Sequence, residues 1–177
     1  GHSLDRIRAV ADQITPNGVE IEFISFRTSG YSAERGRSFG EIDIMREALE
    51  RSAFLAGSSH FVKCNARVFV RNADHLVTTA PDDHDIVGRL SHNLTWLSAT
   101  FVMFRTDVFA SRILPFAAEH VNDLTCNYLE RVYAKAALSC IADDLRWYPL
   151  ASEPDLRGRR GLDDEPYDLS VLRRWAI

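Results

Sequence analysis

An α/β fold, a mixed sheet flanked by helices with at least one antiparallel edge, is predicted by three observations on this sequence. Two segments, 40–55 and 125–142, repeat apolar residues at helical spacing; four runs, 19–26, 61–63, 85–90 and 94–105, have the composition of strands; and the two kinds follow one another in β-α-β order. With 177 residues, 46% hydrophobic and 26% charged, the chain can bury one sizeable core. Residues 4–150 are therefore read as one domain and 151–177 as a polar tail with a short apolar anchor segment.

The elements follow in order. Leu4, Ile7, Val10, Ala11 and Ile14 predict a short amphipathic helix that TPNG at 15–18 ends. VEIEFISF at 19–26 alternates and then turns apolar, as a strand entering a sheet does. A polar loop over 27–39 precedes the helix of 40–55, whose face is Ile44, Met45, Ala48 and Leu49, with Glu41 and Asp43 early and Arg46 and Arg51 late, as the macrodipole favours. After AGSS, FVK at 61–63 reads as a short buried strand. NARVFVRNADHLV at 65–77 reads as a helix, because Ala66, Phe69, Val70, Ala73 and Val77 share a stripe; a strand over 66–70 is the alternative.

DIVGRL at 85–90 and LTWLSATFVMFR at 94–105, joined by SHN, predict a hairpin-like pair. Residues 107–119 form a helix that Pro115 kinks or ends early. The helix of 125–142 has a wide apolar face including Tyr128, Leu129, Val132 and Tyr133. LRWYPL at 145–150 is a final strand or extended edge, and SEPDLRGRRGLDDEP is a polar surface loop before Leu169, Leu172 and Trp175.

Charge and cysteine content exclude several classes. A net charge of −4 leaves no overall basic field for a nucleic acid, and no apolar run approaches the ~20 residues that span a bilayer. Cys64, Cys126 and Cys140 are too few and too scattered for a disulfide scaffold, so a reducing cytoplasm is expected. The segment from Arg35 onward holds the one anion-binding pattern: Arg35, Gly36, Arg37 and Gly40 lead into a helix, and a strand then delivers Lys63 beside Arg67. Free N–H groups at a helix N-terminus attract a phosphate, and glycine lets backbone approach it closely. Ordinary turn glycines and solvated arginines make the same pattern.

The runs RGRSFGEIDIMREALERSAFL, HFVKCNARVFVRN, DIVGRLSHNLTWLSATFVMFRTDVF and VNDLTCNYLERVYAKAAL resemble bacterial capsule and lipopolysaccharide glycosyltransferases of GT-A-like type, through Gly40 and Glu41, Lys63 and Arg67, and Tyr128, Leu129 and Glu130. The resemblance covers about residues 4–145 through short, degenerate motifs. It implies a Rossmann-like GT-A sheet whose first strand is missing from this sequence. It also implies a nucleotide-sugar donor and a saccharide acceptor, a cell-surface polysaccharide precursor, with an oligomer left open. A metal-binding Asp-x-Asp is absent from its usual place, which reads KCNAR; Asp83 and Asp85 are the remaining candidates, so manganese, magnesium or no metal are all compatible with the pattern.

Such a transferase stabilises a leaving nucleoside diphosphate and, if inverting, places a base beside the acceptor hydroxyl. Lys63 and Arg67, with Arg35 and Arg37 closing over them, would supply the first; equally, Lys63 and Arg67 pair with Asp43, Glu47 or Asp74. Glu130, flanked by Leu129 and Val132, would supply the second; its alternatives are a salt bridge to Arg131 or Lys135, or simple exposure on the polar side of the helix. Asn122 and Asp123 read as caps. Trp96, Phe101, Phe104, Phe109 and Phe116 read as core, while Trp147 and Tyr148 are placed to contact a saccharide.

Overall fold

The computed structural model describes Asp5, Arg8, Ala9 and residues 20–27, 34–65 and 68–158. The predicted helix of 4–14 and the apolar anchor of 167–177 lie outside these residues, wholly or nearly so. In order, the chain forms α1 (Arg37–Arg51), α2 (Ala53–Gly57), β1 (His60–Cys64), β2 (Val68–Val70), α3 (Ala73–Thr78), β3 (Ile86–Leu90) and β4 (Leu97–Arg105). There follow α4 (Thr106–Val108), a π-helical turn at Phe109–Ile113, α5 (Leu114–His120), a 3₁₀ turn at Asp123–Thr125, α6 (Leu129–Ala142), β5 (Trp147–Tyr148) and β6 (Leu156–Gly158).

Four strands make an open mixed sheet in the order β1-β4-β3-β5. The central strand β4 runs antiparallel to both neighbours, with Lys63 opposite Val102 and Ile86 opposite Phe104, whereas β3 and β5 are parallel. Thus β1, β3 and β5 point the same way, and their carboxyl ends share one edge of the sheet with the start of β4.

Residues 101–104 of β4 are all buried, as expected of a strand covered on both faces. Val102 and Phe104 join Ile42, Phe109, Ile113, Val132 and Tyr133 in the larger core, under α1, α5 and α6. Phe101 and Met103 meet Val70, Leu76, Val87 and Leu156 on the other face. Phe104, Phe109 and Tyr133 pack as an aromatic trio, with ring centroids 4.8, 5.8 and 6.3 Å apart. Burying each such ring contributes roughly 1.5–3 kcal/mol, so this trio anchors α6 to the sheet.

Several expectations need correction. Residues 20–27 form no helix or strand among the described residues. Glu22 instead caps the start of α2, its carboxylate accepting from the Ser52 hydroxyl (2.6 Å) and the Ala53 amide (3.0 Å). The helix expected over 40–55 begins at Arg37 and is broken at Ser52, whose extended backbone and side-chain cap on Leu55 start α2 separately. The expected helix of 65–77 is a strand, β2, then a turn at Arg71–Asn72, then α3; Phe69, placed in the helical stripe, is 70% exposed.

Pro115 does not end its helix early. The wide π turn precedes it and the chain continues to His120, so the missing proline N–H falls near the start of α5. The segment taken as polar tail contributes β6, which pairs antiparallel with β2 and brings Leu156 over the second core face. Among the described residues, no helix is long and apolar enough to cross a membrane.

Candidate functional site

Lys63 arrives from β1, near the sheet's carboxyl edge, and its side chain is only 5% exposed. A buried ammonium must be compensated, and all three of its donors are. Lys63 Nζ pairs with Glu41 Oε1, donates to Asn65 Oδ1 at 2.5 Å, and donates to the Ala99 carbonyl. Of the pairings foreseen for Lys63, none occurs among the described residues: Asp43 pairs with Arg46 at 3.0 Å and Glu47 with Arg51 at 3.2 Å. A diphosphate at Lys63 would have to displace one of the three acceptors already present. Arg67, its expected companion, lies outside the described residues.

The N-terminus of α1 is filled too. Asp123 Oδ2 accepts from the Ser38 amide at 3.0 Å, so the carboxylate of a distant turn occupies the anion position at the positive end of the helix. Gly36 has φ +91°, and a Cβ there would lie 2.5 Å from the Asp123 side chain. Its close approach serves Asp123 rather than a phosphate. Arg35 donates to the carbonyls of Ala118 (2.8 Å) and Glu119 (2.7 Å) near the end of α5, and its guanidinium stacks 4.4 Å from the Phe39 ring centroid. That is a helix-end cap, not a clamp over a ligand. Arg37 is exposed in the first turn of α1, and Gly40 is half-buried within the helix.

What the fold does bring together is acidic. Glu130, in the first turn of α6, is half-buried, and its carboxyl is raised above the ordinary glutamate value. Burial is the main cause; Glu41 and Asp123 push in the same direction and Lys63 opposes them. Of the alternatives foreseen for Glu130, Arg131 donates instead to the Cys126 carbonyl at 3.4 Å. One helical turn on, Tyr133 is wholly buried, and its hydroxyl has no hydrogen-bond partner among the described residues. Burial, with the charges of Glu41 and Glu130, raises the Tyr133 phenol far above its usual range, so it remains a proton carrier.

The sequence placed Tyr133 in an apolar face and gave no sign that its hydroxyl faces charge. A tyrosine three residues after a helical glutamate is the signal that was available. Asn122 caps the 3₁₀ turn at Asp123–Thr125, Oδ1 accepting from the Leu124 amide at 3.0 Å, and Asp123 caps α1; neither caps the helix they were expected to start, which begins only at Leu129.

Asp83 and Asp85 lie at the opposite edge, just before β3. Asp83 pairs with Arg146 and accepts from the Tyr148 hydroxyl at 3.1 Å; Asp85 pairs with Arg105 at 2.5 Å and accepts from the Arg146 amide at 2.6 Å. They hold β5 and the end of β4 to the sheet, remote from Lys63. No group of three His, Cys, Asp or Glu able to hold a metal ion occurs among the described residues. Trp147 lines a depression of about 320 Å³ with Arg89, Pro149 and Glu153, while Tyr148 is engaged by Asp83.

Two aromatic residues correct the sequence reading. Trp96 and Tyr128, both assigned to apolar core positions, are 41% and 39% exposed, and their rings lie side by side with centroids 6.4 Å apart. Trp96 immediately precedes β4, and Tyr128 is the residue before α6 and two before Glu130.

Compared with protein-family models, with curated proteins and with solved structures, the chain matches none.

Proposed function

We propose that this chain is a glycosyltransferase-like domain of GT-A type that moves a sugar from a nucleotide-diphosphate donor to a saccharide hydroxyl, with Glu130 as the general base. The observation that carries the reading is the Glu130 carboxyl: half-buried, raised by burial and by two neighbouring carboxylates, and placed at the sheet edge where the parallel strands end. Open α/β sheets bind ligands beyond the carboxyl ends of their strands. A base works best when its pKa approaches the working pH, and the environment moves Glu130 that way. Lys63 then acts as a fixed positive charge paired with Glu41 beside Glu130, rather than as the diphosphate clamp.

A second reading, a non-catalytic domain of the same fold, is favoured by the same two facts that removed the clamp: Lys63 has all its donors engaged, and Asp123 fills the N-terminus of α1. A thermal-shift panel of nucleoside-diphosphate sugars, with and without manganese or magnesium, separates the readings. The enzyme stabilises with one nucleotide sugar and releases nucleoside diphosphate from it. Glu130→Gln should lower that release by about 10²–10⁴-fold while leaving the donor-induced shift unchanged. Stabilisation by free nucleotide alone would indicate a nucleotide-binding regulatory module, and no shift with any donor would leave the non-catalytic domain.

A further inference from the structure

The exposed pair Trp96 and Tyr128 is the feature of the carboxyl edge that neither the core nor the charge cluster uses. Trp96 and Tyr128 keep 41% and 39% of their surface in solvent beside each other, area that lacks the contribution burial would give it. The turn that presents Trp96 is built for rigidity. Asn93 Oδ1 accepts from the Ser91 hydroxyl (2.8 Å), the Thr95 amide (3.2 Å) and the Thr95 hydroxyl (2.8 Å), while the Trp96 amide donates to Ser91 Oγ at 3.0 Å. Leu94 is held at φ +61° inside that turn, a conformation that costs a non-glycine residue free energy and persists only where the surroundings fix it.

The turn that presents Tyr128 is fixed in the same manner. Cys126 sits at φ +59°, and Asn122 and Asn127 form a two-way backbone bridge of 3.0 and 2.9 Å. Two strained, hydrogen-bonded turns thus hold the rings at one spacing on the edge where Glu130 lies.

From this geometry we infer that Trp96 and Tyr128 form a stacking platform for the ring of an uncharged saccharide, the acceptor, whose hydroxyl is delivered to Glu130. The inference rests on the reading of Glu130 as base and names what that base acts on. Ligand sites join aromatic walls to a few oriented polar groups, and the C–H face of a pyranose matches an indole while its hydroxyls match carboxylates and amides. The charge near Glu130 selects among sugars: the Glu41 and Asp123 carboxylates both act on it, and the neighbouring cation, Lys63, is already engaged in its pair with Glu41. A uronic acid or phosphorylated sugar would add a further negative charge to that cluster, so neutral sugars are preferred.

The test is an NMR titration of the whole chain, following the Trp96 indole N–H, assigned by its absence in Trp96→Phe. The probes are maltose, cellobiose and lactose at millimolar concentration, with a uronic acid disaccharide as the charged comparison. A neutral disaccharide should shift the Trp96 signal and bind at least roughly tenfold more weakly to Trp96→Ala and Tyr128→Ala, each shown to be folded by its thermal unfolding transition, with Trp96→Phe and Tyr128→Phe, which keep a ring, retaining the binding. Glu130→Gln should keep that binding. No shift with any neutral sugar, equal or tighter binding of the charged one, or unchanged affinity in both alanine variants would overturn the platform. A Trp96→Ala change in sedimentation behaviour without a saccharide effect would assign the rings to contact between copies and also overturn it. Failure of the base is read separately, as full diphosphate release by Glu130→Gln alongside intact sugar binding.

Discussion

Lys63 shows how much a single side chain's role depends on partners that are remote in sequence. Its ammonium and the Glu41 carboxylate form an ion pair in which the lysine is 5% and the glutamate 29% exposed. Removing one member of a buried pair leaves the other charge uncompensated, whereas removing both is far milder. Lys63→Met should therefore destabilise the chain toward the lower end of ~3–5 kcal/mol, because Glu41 keeps some solvent. Adding Glu41→Gln should recover part of the loss. Urea unfolding of the four members of the cycle checks this, and additive losses would mean the pair is not energetically coupled. The sequence did single out Lys63, Glu41 and Glu130, and the fold does bring them together. It could not reveal their roles, because residue type and spacing give a charge but not the burial and long-range acceptors that occupy it.

At the scale of elements, helix α1 was legible and its beginning was not. Met45 and Leu49 mark its packed face in the sequence, whereas Ile44, read into the same face, is exposed and Ile42, left out of it, is buried; no residue of its own caps it through a side chain. The cap comes from Asp123, some eighty residues on, through the bond to the Ser38 amide. Asp123→Ala should cost about 1 kcal/mol, as loss of an N-cap does, and Asp123→Asn, which keeps an acceptor, should cost much less. Equal losses in thermal or urea unfolding would mean that the charge on the helix end, not the hydrogen bond, carries the effect. Hydrogen-bond partners at this separation leave no periodic trace, which is also why β2 was misread. Val68, Phe69 and Val70 are β-formers whose neighbours happened to complete a helical stripe, and their pairing partner β6 sat inside a charged, glycine-bearing run. The hairpin of β3 and β4, by contrast, is local and strongly patterned, and it was read correctly from composition.

For the whole molecule, Glu130 couples stability to pH in a direction opposite to that of an ordinary ion-paired carboxylate. Its folded pKa lies above the unfolded value near 4.5, so between the two the folded chain holds a proton that the unfolded chain has released. Stability is then full below the unfolded value and falls as pH rises through the folded one. The exposed carboxylates Glu22 and Asp107, lowered mainly by hydrogen bonds from Ser52 and Arg105, act in the reverse sense at acid pH, so the Glu130 contribution is isolated by subtracting the Glu130→Gln curve from that of the parent. That difference should decline upward from about the ordinary glutamate range and then flatten. If Glu130 is also the base, kcat/KM must rise over the same interval, because the acid limb of that profile reports ionisation in the free enzyme. One proton is thus read twice, once as stability lost and once as activity gained. Midpoints that coincide tie the buried carboxyl to catalysis; a stability midpoint that disappears in Glu130→Gln beside an activity limb that stays where it was would assign the base to another group.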